Sequence, residues 1–513
     1  MGQRGASEVI QRVIAVVLVG LGCCVASVSP AVGQQGDGGP PEVVGGSPAA
    51  VGEFPFMVTI RFKGDNTNQC GGTLIAPRRV LTAGHCVLDD RNHLIVPNRI
   101  DVTIGTTSLT NGGRRIDVDL IHLHPRYNPG GGPNELPPRN DLAVLDLAEP
   151  ASDAPVTVIH PDESALWRQG TASTMAGWGS TRTNGSGQSR DLLRATFPVI
   201  SDSECGSSRL YEDLFDASTM VCAGLYAGGV GGCKGDSGGP LLVGNGNERR
   251  QIGITSWVST SGCAVRNKPA VFTRLARYAS RNDRFDRATV VAPTGDTLTG
   301  RNFTATKESG EPNHAGDRGG ASVWYRWTAP NADPVTITTA RSNFDTTLAV
   351  YQGTNVATLT PVASNDNAGG SPQSRVRFTP TPGVEYRIAV DGRIGAIGNL
   401  KLKIKQVLTT PTDPRQFLEQ FLATWWSGDW AGLTAYATPQ ALTSFTEPPA
   451  RWTSYRLNWD QARCELGSSG RGGCSFTLFD AGGGGVDYEA LYREAGGAGQ
   501  LIIDGFLFVG GGA

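Results

Sequence analysis

Charged residues are scarce in this 513-residue chain. They make up 18% of it, and 45 Lys and Arg against 47 Asp and Glu leave a formal net charge of −2. This balance does not indicate a polyanion such as nucleic acid as a partner. No apolar run of spanning length follows residue 33, so we expect no membrane association once that segment is removed. None of the cysteines forms a Cys-x-x-Cys pair, which argues against a zinc site, and we expect no cofactor.

The first residues predict export. Arg4 and Arg12 flank the start of an apolar run over residues 13–25, and Ala31-Val32-Gly33 supplies the small residues that a signal peptidase needs. We interpret residues 1–33 as a secretory signal peptide, with a retained membrane anchor as the alternative, and residues 34–42 as a short propeptide. Beyond the signal, eight cysteines form an even set that suits an oxidising, extracellular compartment. They are Cys70, Cys86, Cys205, Cys222, Cys233, Cys263, Cys464 and Cys474.

Turn-forming residues are abundant: 69 glycines and 31 prolines indicate a mostly β protein of about three domains. Residues 43–283 alternate short strand patterns with turns, which is typical of a barrel or sandwich. A second β-rich block without cysteine covers residues 287–406. A Thr/Pro linker then leads into residues 413–513, where helical spacing of aromatic residues is followed by strand patterns, and we predict a small α+β domain.

Three short motifs carry the chemistry of a nucleophilic hydroxyl. Gly235-Asp236-Ser237-Gly238-Gly239-Pro240 surrounds a serine with glycines that allow a tight turn and bring amides close to a substrate carbonyl. Leu81-Thr82-Ala83-Gly84-His85-Cys86 supplies a base of near-neutral pKa, and Asn140-Asp141-Leu142-Ala143 supplies a carboxylate at the head of an apolar strand. Each motif alone has a structural explanation, but the three together indicate catalysis.

In this order His, Asp, Ser, the motifs resemble the chymotrypsin/trypsin-like family of secreted serine proteases. The resemblance covers residues 43–283 and implies two packed six-stranded antiparallel β-barrels. It implies a catalytic triad in which Ser237 is the nucleophile of an endopeptidase, His85 its base and Asp141 the group that orients the imidazole. The oxyanion hole would be formed by the N–H groups of Gly235 and Ser237.

The same resemblance implies disulfides and a route of activation. The implied pairs are Cys70–Cys86, Cys205–Cys222 and Cys233–Cys263, which leaves Cys464–Cys474 for the C-terminal block. Val43-Val44-Gly45-Gly46 resembles the new N-terminus of activated zymogens, whose α-ammonium would pair with Asp236. Glu42 precedes Val43, so a trypsin-like activator is not expected.

The specificity pocket resembles that of elastases. Gly231 takes the position at the pocket floor, beside Gly232, and carries no charge to attract Arg or Lys. Val258 and Ala270 narrow the walls, which predicts cleavage after small or medium apolar residues. Ser256-Trp257-Val258 resembles the segment that pairs with an extended substrate. Residues 105–113 have no counterpart of the acidic loop that binds calcium in trypsins, so we expect no metal in this domain.

The two later blocks have weaker resemblances. Residues 287–406 resemble the pre-peptidase C-terminal domains of secreted bacterial proteases, which implies a β-sandwich, and residues 413–513 resemble the small NTF2-like α+β fold. Asp345, Asp366 and Asp391 are calcium candidates, although acids that cap turns are commoner. Trp425, Trp426 and Trp430 would line a ligand cavity or simply fill a core. Either domain could bind substrate or cell-surface ligands.

Two other functions remain open from the sequence. The chain could be an adhesion or ligand-binding protein in which the protease-like domain is a non-catalytic scaffold. It could also be an esterase acting on substrates other than peptides.

Overall fold

The computed structural model describes residues 44–64, 70–131, 136–293 and 295–406 with their side chains, together with Phe421, Leu422 and Thr424. In the last block it otherwise describes only strand backbones. The predicted signal peptide 1–33, the propeptide 34–42 and Val43 lie outside the described residues, and so do the three tryptophans of the C-terminal block. No helix within the described ranges has the length and apolar character needed to cross a membrane.

After a two-residue strand, β1 (Ser47–Pro48), six antiparallel strands close into a first barrel. They pair in the order β2-β3-β4-β7-β6-β5, and β5 returns to β2. In β6, Ile116 and Val118 are buried while Arg115 and Asp117 are exposed, the two-residue period of a strand with one face on a core. The strands are β2 (Met57–Phe62), β3 (Cys70–Ala76), β4 (Arg79–Thr82), β5 (Ile100–Ile104), β6 (Arg114–Leu123) and β7 (Ala143–Leu147).

The second barrel closes in the order β10-β11-β14-β13-β12-β9, because β9 also pairs with β10. β1 extends β10, and β8 runs parallel to β13 outside the ring. The strands are β8 (Thr157–Val158), β9 (Ala172–Gly177), β10 (Leu193–Ile200), β11 (Met220–Ala223), β12 (Pro240–Val243), β13 (Arg250–Trp257) and β14 (Ala270–Arg274). The two six-stranded barrels that the family resemblance implies are therefore confirmed.

Residues 289–406 form two sheets, of order β15-β17-β22-β19-β20 and β16-β23-β18-β21. Their inward residues join one hydrophobic core, which is the layering of a β-sandwich. The strands are β15 (Thr289–Val291), β16 (Thr297–Arg301), β17 (Val323–Thr328), β18 (Val335–Thr338), β19 (Thr346–Gln352), β20 (Thr360–Asn365), β21 (Arg375–Phe378), β22 (Glu385–Gly392) and β23 (Asn399–Gln406).

The three acids of this sandwich that we considered for calcium have protein partners. Asp391 is fully buried, and its carboxylate accepts hydrogen bonds from the N–H groups of Gly320, Ala321 and Gly392. The carboxylates of Asp345 and Asp366 lie 3.8 and 3.2 Å from the guanidinium of Arg393. Asp391 thus caps a turn, the commoner role of such an acid.

Helices are few and short among the described residues. Ser201 caps the short α-helix α1 (Asp202–Cys205) by accepting a hydrogen bond from the N–H of Glu204. The 3₁₀ turns are Gly84–Val87, Pro97–Arg99, Ser164–Trp167, Glu212–Leu214, Gly246–Glu248, Leu275–Arg277, Phe285–Arg287, Val356–Thr358 and Arg393–Gly395.

The C-terminal block contains an antiparallel sheet of order β24-β26-β27-β28, with β25 also paired to β26. Cys464 lies directly opposite Cys474 in the β25–β26 register, and Phe421 and Leu422 are helical and buried. The strands are β24 (Arg456–Leu457), β25 (Arg463–Leu466), β26 (Arg471–Phe479), β27 (Gly485–Ala495) and β28 (Gln500–Gly511).

Candidate active site

His85 and Asp141 form a hydrogen-bonded pair at the end of the first barrel. His85 lies in a 3₁₀ turn just after β4, and Asp141 lies just before β7, the strand that pairs with β4. The Nδ1–H of His85 donates to Oδ2 of Asp141 at 2.9 Å, and the backbone N–H of His85 donates to Oδ1 at 2.9 Å. Asp141 is 1% exposed, whereas His85 keeps one side open to solvent. The carboxylate therefore fixes one tautomer and one orientation of the ring.

The electrostatics of the His85–Asp141 pair favour a protonated imidazole and an ionised carboxylate. Burial by itself lowers the pKa of His85, but the charge of Asp141 and the hydrogen bond to it more than offset this, so the pKa of His85 is raised. Burial would raise the pKa of Asp141, yet the contacts with His85 and Ser256 outweigh it and the pKa of Asp141 is lowered. Asp141 thus stays ionised behind the imidazole.

Two further hydroxyls hold Asp141. Ser256 Oγ donates to Oδ2 of Asp141 at 2.5 Å, and Thr273 Oγ1 donates to its backbone carbonyl at 2.8 Å. Both residues come from the second barrel, so the carboxylate is fixed from both barrels at once. The sequence motifs had suggested Ser256 only as a substrate-binding residue, and Thr273 carries no local signal at all.

Ser237 lies between the two barrels. Its carbonyl accepts a 2.7 Å hydrogen bond from the N–H of Gly71 in the first barrel. The next residue, Gly238, donates to Thr255 O in the second barrel, and a Cβ on it would lie 2.2 Å from Thr82 Oγ1. Only glycine allows this approach to the segment that leads into His85. The side chain of Ser237 remains partly exposed.

Two backbone N–H groups beside Ser237 are left without an acceptor. Within the residues that the structure describes, neither the N–H of Gly235 nor that of Ser237 donates a hydrogen bond, although the N–H groups of Asp236, Gly238 and Gly239 all do. Gly235 has φ +92°, a conformation that L side chains rarely adopt. A pair of free donors next to a nucleophile is suited to binding an oxyanion.

Asp236 is a fully buried carboxylate. Its two oxygens accept hydrogen bonds of 2.8 Å from the N–H groups of Gly179 and Cys233. Burial raises the pKa of Asp236 to about 6 despite these two donors. A Cβ on Gly177 or Gly179 would lie 2.1 or 2.3 Å from the carboxyl group, so both glycines are required for its position.

The residues that follow Val43 lie beside Gly231, the predicted pocket floor. Val44 is 6% exposed and packs against the disulfide of Cys233, and its carbonyl accepts a hydrogen bond of 3.0 Å from the N–H of Gly231. Gly45 has φ +70°, and a Cβ there would lie 2.2 Å from Gly229 O.

Two residues of the predicted pocket, Gly231 and Val258, lie beside Val44. Gly231 and Gly232 are buried, Ala270 is 5% exposed, and Val258 packs against the cluster of Val44 and the Cys233–Cys263 pair. A Cβ on Gly231 would meet nothing closer than the Cβ of Ala264 at 3.5 Å, which is ordinary contact. Trp257, the remaining predicted substrate-binding residue, stacks edge-on against Tyr211 with ring centroids 4.8 Å apart.

Three disulfides connect the loops of the site: Cys70–Cys86, Cys205–Cys222 and Cys233–Cys263. All three pairings match the sequence prediction. Cys70, His85 and Cys86 are the single group with metal-ligand spacing in the described part of the chain. The two sulfurs are bonded to each other, so they are not the thiolates that a metal would need.

Comparison with known proteins agrees with this geometry. The family model described as Trypsin matches residues 43–281. A trypsin from Saccharopolyspora erythraea is 37% identical over 237 residues, 46% of this chain and 94% of that relative. Chymotrypsin-C from Rattus norvegicus is 35% identical over 46% of this chain and 85% of its own length, and chymotrypsin-like elastase family member 1 from Bos taurus is 35% identical over 46% and 87%. The chain therefore belongs to the trypsin family, and its first two barrels are a serine endopeptidase domain.

Proposed function

We propose that the chain is a secreted serine endopeptidase that cleaves after small or medium apolar residues through an acyl-enzyme. The observation that carries the proposal is Asp141, a buried carboxylate bonded at 2.9 Å to an imidazole that faces solvent. A non-catalytic scaffold would have no use for an ionised aspartate held in this way by both barrels.

The proposed chemistry begins with attack of Ser237 Oγ on the scissile carbonyl carbon while Nε2 of His85 takes the hydroxyl proton. The N–H groups of Gly235 and Ser237 stabilise the oxyanion, and each such donor contributes roughly 10²–10³ in rate. His85 then returns the proton to the departing amine, leaving Ser237 acylated. Water, deprotonated by His85, releases the acid and restores Ser237.

Substrate selection rests on the pocket. Gly231 offers no carboxylate at the floor, and the side chains of Val258 and Ala270 reduce the space above it. A methylene is worth only about 1–3 kcal/mol in such a pocket, so the preference among apolar residues is graded. Ser256, Trp257 and Val258 would receive the substrate backbone as an added strand.

Activation by cleavage before Val43 belongs to the same proposal. Val44 is buried beside Gly231, and Asp236 is a buried carboxylate without a cation among the described side chains. The new α-ammonium would supply that cation and hold the loop that carries Gly235. Export by a signal peptide, a bacterial origin and a pre-peptidase-like second domain complete the proposal.

Covalent labelling tests the catalytic claim. The mature form beginning at Val43 is treated with a fluorophosphonate, and we expect one label on Ser237 that is lost in Ser237→Ala. The same enzyme is profiled on a peptide library, where cuts after Ala, Val or Leu are expected. Absence of labelling would leave the adhesion or ligand-binding scaffold, and faster turnover of simple esters than of extended peptides would indicate an esterase.

A further inference from the structure

One outer face of the sandwich carries positive charge on two of its strands. The chain has seven lysines: Lys63, Lys234, Lys268, Lys307, Lys401, Lys403 and Lys405. Three of them occupy alternate positions of β23, where Leu400, Leu402 and Ile404 are buried. Because successive side chains of a strand point to opposite faces, the three lysines lie outward in one row.

The strand register extends this row into a surface. In the ladders across β23, β18 and β21, Lys405 is level with Thr336 and Arg377, and Lys403 is level with Thr338 and Arg375. On the other side, β16 places Thr297 opposite Lys403 and Thr299 opposite Lys401. We call these nine residues the cationic face; they are Thr297, Thr299, Thr336, Thr338, Arg375, Arg377, Lys401, Lys403 and Lys405.

The five cations of this face are unpaired. Among the residues with described side chains, the ammonium groups of Lys401, Lys403 and Lys405 and the guanidinium groups of Arg375 and Arg377 form no ion pair and no hydrogen bond. The nearest acid in the ladder, Asp296, stands at the end of β16 and accepts a hydrogen bond from the N–H of Thr297. Some cations elsewhere on the protein do have acidic partners, as Arg318 has Asp119 at 2.6 Å.

Spacing makes the face suited to a linear polyanion. Cations along β23 repeat every two residues, about 7 Å, and the columns on β23 and β21 are two strands, about 10 Å, apart. Threonine hydroxyls, which both donate and accept hydrogen bonds, fill the columns between and beside them. Ammonium and guanidinium groups bind carboxylate or sulfate, and hydroxyls bind sugar hydroxyls.

We propose that the cationic face binds an acidic polysaccharide that carries carboxylate or sulfate groups, and so holds the protease domain on a polysaccharide surface. No outward position of the face is aromatic, so there is no platform on which bases of single-stranded nucleic acid would stack. None is a large apolar residue that would enter a lipid bilayer. Of these polyanions, an acidic polysaccharide is the one that has many hydroxyls to form hydrogen bonds with the threonines.

The test measures retention of the full chain carrying Ser237→Ala, so that neither proteolysis nor the proposed catalytic function enters the result. Immobilised polygalacturonate and heparin are the probes, and uncharged dextran is the blank. We expect retention at low ionic strength and release by about 0.5 M NaCl, where the screening length falls to a few ångströms. Substitution of Lys401, Lys403 and Lys405 by threonine, a good strand former, should weaken binding at least about tenfold.

A matched variant separates this face from overall charge. Arg91, Arg168 and Arg190 are exposed cations of the protease domain, and their replacement by threonine removes the same three charges. For this control variant we expect an affinity for polygalacturonate within about twofold of that of the parent. Equal losses in both variants would overturn the proposal, as would tighter binding to duplex DNA or to phosphatidylglycerol vesicles than to polygalacturonate. Should the triple variant melt early, the pair Arg375→Thr/Arg377→Thr is measured in its place with the same expected loss.

Discussion

The imidazole of His124 stacks on the ring of Phe303, with centroids 4.3 Å apart and the planes tilted by 39°. His124 belongs to the first barrel's loop after β6, and Phe303 follows β16 of the sandwich, so the stack joins two domains. Both side chains are at least 95% buried. The N–H of His124 donates to Leu142 O at 3.0 Å, one residue after Asp141.

The same phenylalanine also contacts Tyr278, which bonds to the residue before Asp141. Tyr278 lies edge-on to Phe303 at 6.1 Å, and its hydroxyl donates to Oδ1 of Asn140 at 3.1 Å. Asn140 adopts φ +50° immediately before Asp141. The sandwich therefore packs behind both chain neighbours of Asp141, and we regard Phe303 as a positioning residue for the proposed triad.

Phe303→Ala should lower both stability and turnover. Loss of a buried phenylalanine typically costs about 3–5 kcal/mol. A loosened Asn140–Leu142 segment should lower kcat roughly tenfold, short of the roughly 100-fold that a 1 Å misplacement costs. Thermal unfolding and kcat on a peptide substrate, measured well below the melting temperature, check both effects.

Phe344→Ala is the matched control, since Phe344 is 7% exposed in the sandwich and packs beside Gly398. It should lose stability but keep the parent kcat. A Phe303→Ala enzyme with unchanged kcat and KM would show that the stack is structural only.

Asp236 predicts a pH-dependent stability for the unprocessed chain. Its pKa is raised to about 6 from 3.8, so its folded form holds a proton that the unfolded chain has already lost, and stability falls as pH rises from about 4 to 6. The shift corresponds to about 3 kcal/mol. Melting curves of the Ser237→Ala precursor should show this decline.

Two comparisons isolate the carboxyl group. Asp236→Asn in the precursor should remove the decline, and the form beginning at Val43 should not show it, because the α-ammonium would stabilise the ionised carboxylate. A mature form that declines over the same pH range would contradict pairing of Val43 with Asp236.

The family that the motifs resemble was enough to predict the two barrels and three of the disulfide pairs. Gly238 of the serine motif shows one reason: a Cβ there would lie 2.2 Å from Thr82 Oγ1, so the packing of the serine loop requires a glycine at this position. The support of Asp141 by Ser256, Thr273 and Phe303 could not be predicted in this way. Each of these contacts joins positions far apart in the chain, and only tertiary packing decides which residues meet.

The cationic face shows the same limit. The sequence predicts β structure over residues 287–406. The two-residue period of a strand then places Lys401, Lys403 and Lys405 on one side. Arg375 and Arg377 join them only through the register of β18 with both neighbours, which the sequence does not encode locally. The net charge of −2 is an average that conceals such a surface.

The His85–Asp141 pair should set opposite pH trends for activity and stability. His85 must be neutral to accept a proton, so kcat/KM should fall as pH drops through its raised pKa. The stabilisation from protonated His85 is present in full below the unfolded value of 6.5 and is lost as pH rises through the folded pKa.

Asp141→Asn tests this assignment. It should lower kcat about 10⁴-fold and move the remaining acidic limb of the pH profile to lower pH, because the neutral amide no longer holds the imidazolium. Ser256→Ala keeps the carboxylate, so the acidic limb of its pH profile should lie at higher pH than the limb of Asp141→Asn. An identical limb in wild type and Asp141→Asn would mean that a group other than His85 is titrating.

Gly231→Asp should convert the pocket to one that accepts basic residues. Gly231 has room for a side chain, since an added Cβ would meet only the Cβ of Ala264 at 3.5 Å. The new carboxylate would stand at the floor of the pocket, where it pairs with Arg or Lys of the substrate. Because Val258 narrows the entrance, the double variant Gly231→Asp/Val258→Gly should show the larger gain, at least about tenfold in kcat/KM for Arg over Ala peptides.

Gly231→Asn has the same size without the charge and should show no gain. If Gly231→Asp folds, labels at Ser237 and still prefers Ala, residue 231 does not line the pocket, and the basis for predicting an apolar preference is removed.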